Sequence, residues 1–403
     1  MKRKIMILGA GIYQVPLIRK AKEMGLETLV VSIPGDYPGI PMADRFFPLD
    51  TRDYEGILQV AQQEKIQGIC TSGTDVAVRA IGYVCEHMGL SGIHFSAAKR
   101  ATDKALMKEA FHRHQVSTAD FHKVCSREEA LQAAEQIGYP VVVKAVDSSG
   151  SRGILKAGNG QELQAAFENA RAVTKKNYVL VEEWLDGEEI GVDAFMGEEN
   201  LEVFFPHRKF ICRAANTTIP SGHRFPFDGS PRLDQELRLQ ILKAAKALGL
   251  KNCPLNADVF VKGDKVWIIE MGGRTGATCI PELISVNQGY DWYEKILQAA
   301  LGEKPDFSGK SNVSCMAKLV FSPVTGKIRK IDREGIEALK KQEILCQMDY
   351  KEGDMVEKVL NGTDRIGHIL MKTEEERKLN QALGKLYSCI WLDQGNLEEL
   401  WKR

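Results

Sequence analysis

No stretch of this sequence reaches the run of about 18 apolar residues that a membrane-spanning helix requires. Charge of one sign is missing as well: Lys+Arg and Asp+Glu both total 54, and the formal net charge is zero. Without a basic block there is no electrostatic footprint for nucleic acid or an anionic membrane, and neither is expected as a partner. The nine cysteines are an odd number and contain no C-x-x-C pair, which excludes a disulfide framework and a zinc ribbon and predicts reduced thiols filling core space. The start, MKRKIMILGAG, has a positive head but only a four-residue apolar run before glycine. That is too short for a secretory signal, so a cytoplasmic location is expected. No lysine lies in a biotinylation context such as A-M-K-M, and no glutaminase-type cysteine constellation is present.

What remains is a chain of 403 residues with 44% hydrophobic and 27% charged content, enough for two to four domains. The first hundred residues alternate apolar strands with helices. Strands are read at Ile5–Leu8, Glu27–Ser32, Phe46–Leu49 and Gly68–Thr71, and helices at Val15–Met24, Tyr54–Glu64 and Ala77–Met88. Such alternation predicts a parallel sheet covered by helices on both faces. The turn Gly9-Ala10-Gly11 resembles the start of a dinucleotide fingerprint, but Gln14 stands where the third glycine belongs and no acid closes the second strand. A carboxylate or phosphate of a substrate at Gly11 remains compatible with it. A second loop at a strand end holds Thr71, Ser72, Gly73, Thr74 and Asp75. Open α/β sheets bind ligands at such ends, although Thr74 or Asp75 capping the next helix accounts for the same residues.

Charged residues recur where strands should be apolar. Val141–Val143 leads to Lys144, followed by the small residues Ser148, Ser149, Gly150, Ser151, Arg152 and Gly153. Backbone N–H groups in such a turn approach an anion closely, and the lysine adds a full positive charge. Further on, YVLVEEWLDGEEIGVDAF sets Glu182, Glu183, Trp184 and Leu185 at a strand end, with Glu189 after the turn. Aromatic and apolar faces beside carboxylates suit a purine. A hairpin around Lys262-Gly263-Asp264 carries Asp258 within an apolar strand and Glu270 at the end of the next. Facing carboxylates in buried strands are costly unless paired or bound to a hard cation such as Mg²⁺. Arg274 follows after two glycines. The stretch from Pro206 to Arg232 reads as a polar, basic loop, from which Arg213 and His223 are candidates to receive a substrate acid.

In this order and spacing, the elements from about Ala101 to Ala300 resemble the ATP-grasp superfamily. The first hundred residues resemble the α/β domain that precedes it in biotin carboxylase and carbamoyl phosphate synthetase. The resemblance implies an N-terminal parallel-sheet, Rossmann-like domain (1–100), a two-lobed ATP-grasp domain (101–304, lid lobe about 115–187) and a small β-rich C-terminal cap (305–403), an α/β and α+β chain. It implies ATP held by Lys104 and Lys144 under a lid containing Ser149, Gly150, Ser151 and Gly153. Adenine would lie at Glu182, Glu183, Trp184 and Leu185, and ribose at Glu189. Mg²⁺, with Mn²⁺ as an alternative, falls to Asp258 and Glu270, and Arg274 joins Lys144 in catalysis. The family's asparagine after the second metal glutamate is Gly272 here, so Asn256, on the same strand face as Asp258, or a water is expected to substitute. Gly11, Ser72, Thr74, Asp75, Arg213, His223 and Arg274 are assigned to substrate. The implied activity joins a small-molecule acid to an amine through an acylphosphate; a carboxylase, a formyl transferase or an ATP-binding sensor, and a homodimer, are left open.

Overall fold

The computed structural model describes residues 2–147, 153–214, 217–309 and 311–402. Lys4–Leu8, Glu27–Ser32, Arg45–Pro48 and Gly68–Cys70 form the N-terminal parallel sheet, with Lys4–Leu8 between Glu27–Ser32 and Gly68–Cys70. Its first strand shows why the run IMIL is uniformly apolar: Met6 and Leu8 enter one core, while Ile5 and Ile7 enter another on the opposite face. A strand buried on both sides has no polar face to show. Full burial of each such side chain contributes about 1.5–3 kcal/mol. Helix Val15–Glu23 closes one face with Leu17 and Ile18, and helix Tyr54–Glu64 the other with Ile57. Seven of the nine cysteines are buried, as core fillers should be.

The helix Phe95–Ala101 crosses residue 100 and leads into Lys104–Arg113. Asp103 caps the latter by accepting from the N–H groups of Ala105 and Leu106 at 3.1 and 3.2 Å. A small antiparallel sheet follows, ordered Phe121–Val124, Val179–Glu183, Val141–Lys144, Ile154–Ala157, with helices Arg127–Ile137 and Gly160–Val173 packed on it. Of the expected lid, residues 148–152 lie outside the described ones, including Ser149, Gly150 and Ser151. Gly153 is described, in the left-handed region at φ +71°.

An eight-stranded antiparallel sheet forms the centre of the molecule, in the order Lys265–Gly272, Cys253–Lys262, Glu188–Met196, Leu201–Ala214, Thr217–Phe225, Cys315–Val320, Gly367–Lys372, Leu345–Met348. Helix Pro231–Leu248 covers one face, and helices Ile280–Gln288 and Trp292–Ala300 the other. The expected loop from Pro206 to Arg232 is instead mostly this sheet: Leu201–Ala214 and Thr217–Phe225 pair as a long hairpin. Its consecutive basic residues His207, Arg208 and Lys209 point to both strand faces, where Arg208 meets Glu188 and Asp228 and Lys209 meets Glu189 and Asp258, so the pattern imitated a loop. The last three strands belong to the segment 305–403, so the sheet is continuous across the boundary expected at 304. A four-stranded sheet built on Gly326–Ile331 completes that segment with its own core around Ile328, Leu379 and Leu386. Among the described residues, no helix is long and apolar enough to cross a membrane.

Candidate active site

Lys104 and Lys144 come from different elements, a helix and a strand, and both act on Glu270. Lys104, at the start of its helix, reaches Glu270 Oε2 at 2.6 Å, and Lys144, at the end of its strand, reaches Glu182 Oε2 at 2.8 Å. A third lysine was missed from the sequence. Lys108 lies one helical turn beyond Lys104 on the same face, is 2% exposed, and meets the same Glu182 oxygen at 3.1 Å. The repeat of lysine at four-residue spacing was the available signal. Burial would raise the Glu182 carboxyl, but Lys108 and Lys144 bring it down to about 2. Burial pushes Lys108 down. Glu182 is thus a buried counter-ion for the lysines, and its side chain presents no free edge to a purine.

Asp258 and Glu270 are direct cross-strand partners, next to a bulge between Asp258 and Val259. Their side chains retain 30% and 42% exposure. Lys104 holds Glu270 down to about 2 against burial, and Lys144 and Lys209 also act on it. Burial raises Asp258, Lys209 opposes this, and the facing Glu270 adds to it. Lys209 ties Asp258 to Glu189, which it meets at 2.7 Å. Two carboxylates side by side, answered by the ammonium groups of Lys104 and Lys209, form an oxygen donor set suited to a hard divalent cation. Among the described residues no third His, Cys, Asp or Glu joins them in a metal-sized group.

Asn256 is opposite Gly272 in the same ladder, but its amide is committed at both ends. Its Oδ1 accepts from Arg274 at 2.8 Å, and its Nδ2 donates to Asp193 Oδ2 at 2.7 Å. The amide therefore serves the arginine and not the carboxylate pair. Arg274 donates its other terminal nitrogen to Asp75 Oδ2 at 2.7 Å. This explains the glycine at 272, where a Cβ would lie 2.6 Å from Asp75 Oδ1. It also rules out Asp75 as a helix cap: Val78–Met88 begins at Ala77 with no side-chain cap.

Beneath Arg274 lies Asp193, fully buried and missed from the sequence. It accepts from the Gly276 N–H at 2.8 Å, from Thr275 Oγ1 at 3.3 Å and from Asn256, with His207 at 3.4 Å. An acid inside the apolar run GVDAF carried the same signal as Asp258. His223 contacts His207 at 3.1 Å and is 2% exposed, so it backs the site and has no open face for substrate. Burial and His207 push it well below the usual histidine range. Arg213 lies on Leu201–Ala214, and its side chain is outside the described residues. The Gly11 N–H donates to Gln14 Oε1 at 2.9 Å, and Gln14 in turn reaches the Ser72 carbonyl. The residue that breaks the dinucleotide pattern thus fills the turn. Ser72 donates to the Tyr13 carbonyl, and Thr74 shares its loop. Trp184 is 39% exposed at the end of its strand, with Lys156 Nζ 4.3 Å from its ring centre. Glu183 and Leu185 flank it, half-buried.

Residues 137–282 match the ATP-grasp domain family. The solved phosphoribosylglycinamide synthetase of Anaerococcus prevotii is 30% identical, with a TM-score of 0.83 covering 97% of this chain and 99% of that one. A formate-dependent phosphoribosylglycinamide formyltransferase of Wolinella succinogenes is 27% identical over 310 residues, 74% of this chain and 76% of its own length. The biotin carboxylase domain of the Hydrogenobacter thermophilus 2-oxoglutarate carboxylase, solved with MgADP and bicarbonate, shares the fold at 18% identity and a TM-score of 0.77, covering 98% and 91%. The chain belongs to the ATP-grasp superfamily of ATP-dependent, carbon–nitrogen bond-forming ligases.

Proposed function

We propose that this protein activates a small-molecule carboxylate with ATP and Mg²⁺ as an acylphosphate and joins it to an amine, releasing ADP and phosphate. One observation supports this most: Glu270, opposite Asp258, lies within the fields of Lys104, Lys144 and Lys209, which come from three separate elements. Cations and metal-type carboxylates gathered at one point suit a polyphosphate. In this reading Lys104 and Lys144 leave their carboxylate partners for phosphate oxygens. Asp258 and Glu270 hold Mg²⁺, which when bound neutralises charge on the phosphates. Leu185 and its neighbours take adenine at the backbone, Trp184 lies beside it, and Glu189 takes the ribose. Arg274, held by Asp75 and Asn256, orients the acid. A carboxylate oxygen bonds to the γ-phosphorus while the bond to ADP breaks toward ADP. The neutral amine nitrogen then bonds to the carbonyl carbon, phosphate leaves with its electron pair, and the nitrogen gives up one proton to solvent. Fixed ammonium groups act most strongly where charge spreads in the transferred phosphoryl group. Residues 101–304 carry the nucleotide, and 1–100 with 305–403 complete the substrate side.

A second reading takes formate as the acid, favoured by the likeness to the formate-dependent formyltransferase. Phosphate release from MgATP across a panel of acids, with and without amines, separates the two. Release that requires an acid–amine pair beyond formate supports the ligase. Release restricted to formate supports formyl transfer, and nucleotide binding without release under any pair refutes both.

A further inference from the structure

Three lysines pair with Glu182 and Glu270, but they are not equally free to move. Lys104 and Lys144 keep 21% and 12% of their side chains exposed, and Lys108 keeps 2%. Lys108 is also held at two points. Its Nζ donates to Thr118 Oγ1 at 2.7 Å and lies 3.1 Å from Glu182 Oε2. The Thr118 hydroxyl in turn donates to the Ile268 carbonyl at 2.6 Å, on the hairpin strand that carries Glu270. Lys108 thus ties its own helix to the small sheet and to the hairpin.

The two carboxylates differ in the same way. Glu270 keeps 42% exposure, so a divalent cation from solution can take the place of Lys104 when that lysine leaves. Glu182 is 1% exposed, and Lys108 and Lys144 both meet its Oε2. A buried carboxylate stripped of its last cation is strongly destabilised. With Lys144 as its only partner, Glu182 would suffer that loss each time Lys144 turned to a ligand. Burial would raise the Glu182 carboxyl, and Lys108, ahead of Lys144, brings it down to about 2.

We propose that Lys108 is the resident counter-ion of Glu182, a positioning residue that keeps this carboxylate paired while Lys144 turns to a nucleotide phosphate. Lys108 itself meets no phosphate; it acts by making the release of Lys144 less costly. The assignment rests on the reading that Lys144 leaves Glu182 for a phosphate oxygen.

Adenylyl imidodiphosphate, a triphosphate that resists hydrolysis, is titrated with Mg²⁺ by calorimetry into the full chain and its variants, and the melting temperature of each is measured. K108M is expected to bind at least tenfold more weakly than the parent, since Lys144 then leaves Glu182 unpaired. K108M/E182Q removes the carboxylate as well and is expected to recover most of that loss. A role of Lys108 in packing alone predicts no recovery, because the second substitution only adds a further change to the core. Should K108M melt below the titration temperature, K108Q replaces it, alone and paired with E182Q. Affinity of K108M equal to the parent's, or a double variant as weak as K108M, overturns the assignment. K144M, titrated alongside, tests the reading beneath it and is expected to bind at least tenfold more weakly. K144M at parent affinity defeats the phosphate role of Lys144 and the assignment with it. Weakened K144M without recovery in K108M/E182Q defeats the role of Lys108 alone.

Discussion

Glu182 lies between two ammonium groups with almost no solvent, so its removal leaves Lys108 buried beside Lys144 without its paired carboxylate. Breaking a buried pair by deleting one partner costs on the order of 3–5 kcal/mol. E182Q is therefore expected to destabilise the protein by that amount near neutral pH, measured as a lower denaturant midpoint. The pH dependence carries a definite sign. The carboxyl is at about 2 in the folded chain against 4.5 for the free group. Its contribution is present above pH 4.5 and is lost as pH falls toward 2. The parent protein should lose stability through that window, and E182Q should show a shallower decline. An E182Q profile parallel to the parent's would mean that the pair is not the source. Charges placed against their local pattern were legible from sequence: Lys144 ending a valine strand, Asp258 within an apolar one, Arg274 after paired glycines. Lys209 was not, and Lys108 showed only as a four-residue repeat of Lys104, because a lysine in a helix or a basic stretch is ordinarily solvated, and only the tertiary fold brings their acids to them.

At the scale of elements, apolar runs buried on both faces showed themselves, and the N-terminal sheet emerged nearly residue for residue. The long strand Leu201–Ala214 showed only its apolar start, Glu202–Phe205. It carries Lys209 and the buried His207 on one face, so its alternation joins apolar residues to charged ones whose partners lie elsewhere in sequence. The strand after it does a structural task that no local pattern announces, since Thr217–Phe225 pairs with Cys315–Val320 and binds the C-terminal segment into the central sheet. Gly222 is the close approach in that seam: a Cβ there would lie 2.0 Å from the Ala317 carbonyl oxygen and 2.9 Å from Lys318 Cα. Backbone cannot yield as a flexible side chain does. G222A is expected to cost about 1–3 kcal/mol and to do so locally, raising proteolytic cleavage within residues 305–403 above cleavage in the N-terminal sheet. Uniform susceptibility in both regions would show that the seam does not govern attachment of the segment.

Over the whole molecule the charges sum to zero, so no net charge draws a nucleotide in, and on the proposed reading recognition would depend on rearranging the ion pairs around Glu182, Asp258 and Glu270. On the proposed reading a triphosphate or diphosphate entering alone would meet Lys104 and Lys144, and also Asp258 and Glu270. A divalent cation converts that repulsion into a bridge. Nucleotide binding should therefore depend on the metal more than on the lysines' charge alone. Bound ligand stabilises the folded state by about 2.7 kcal/mol at a hundredfold excess over its dissociation constant, which is readable as a rise in melting temperature. MgADP is expected to produce that rise, and ADP with a chelator only a small part of it. In the double variant D258N/E270Q the two conditions should converge, because the cation then has no carboxylates to hold it. K104A should lower the MgADP response while leaving the difference between metal and chelator intact. A double variant that keeps a full metal-dependent rise would place the cation elsewhere, and the cleft between the hairpin and the small sheet would lose its claim to the phosphates.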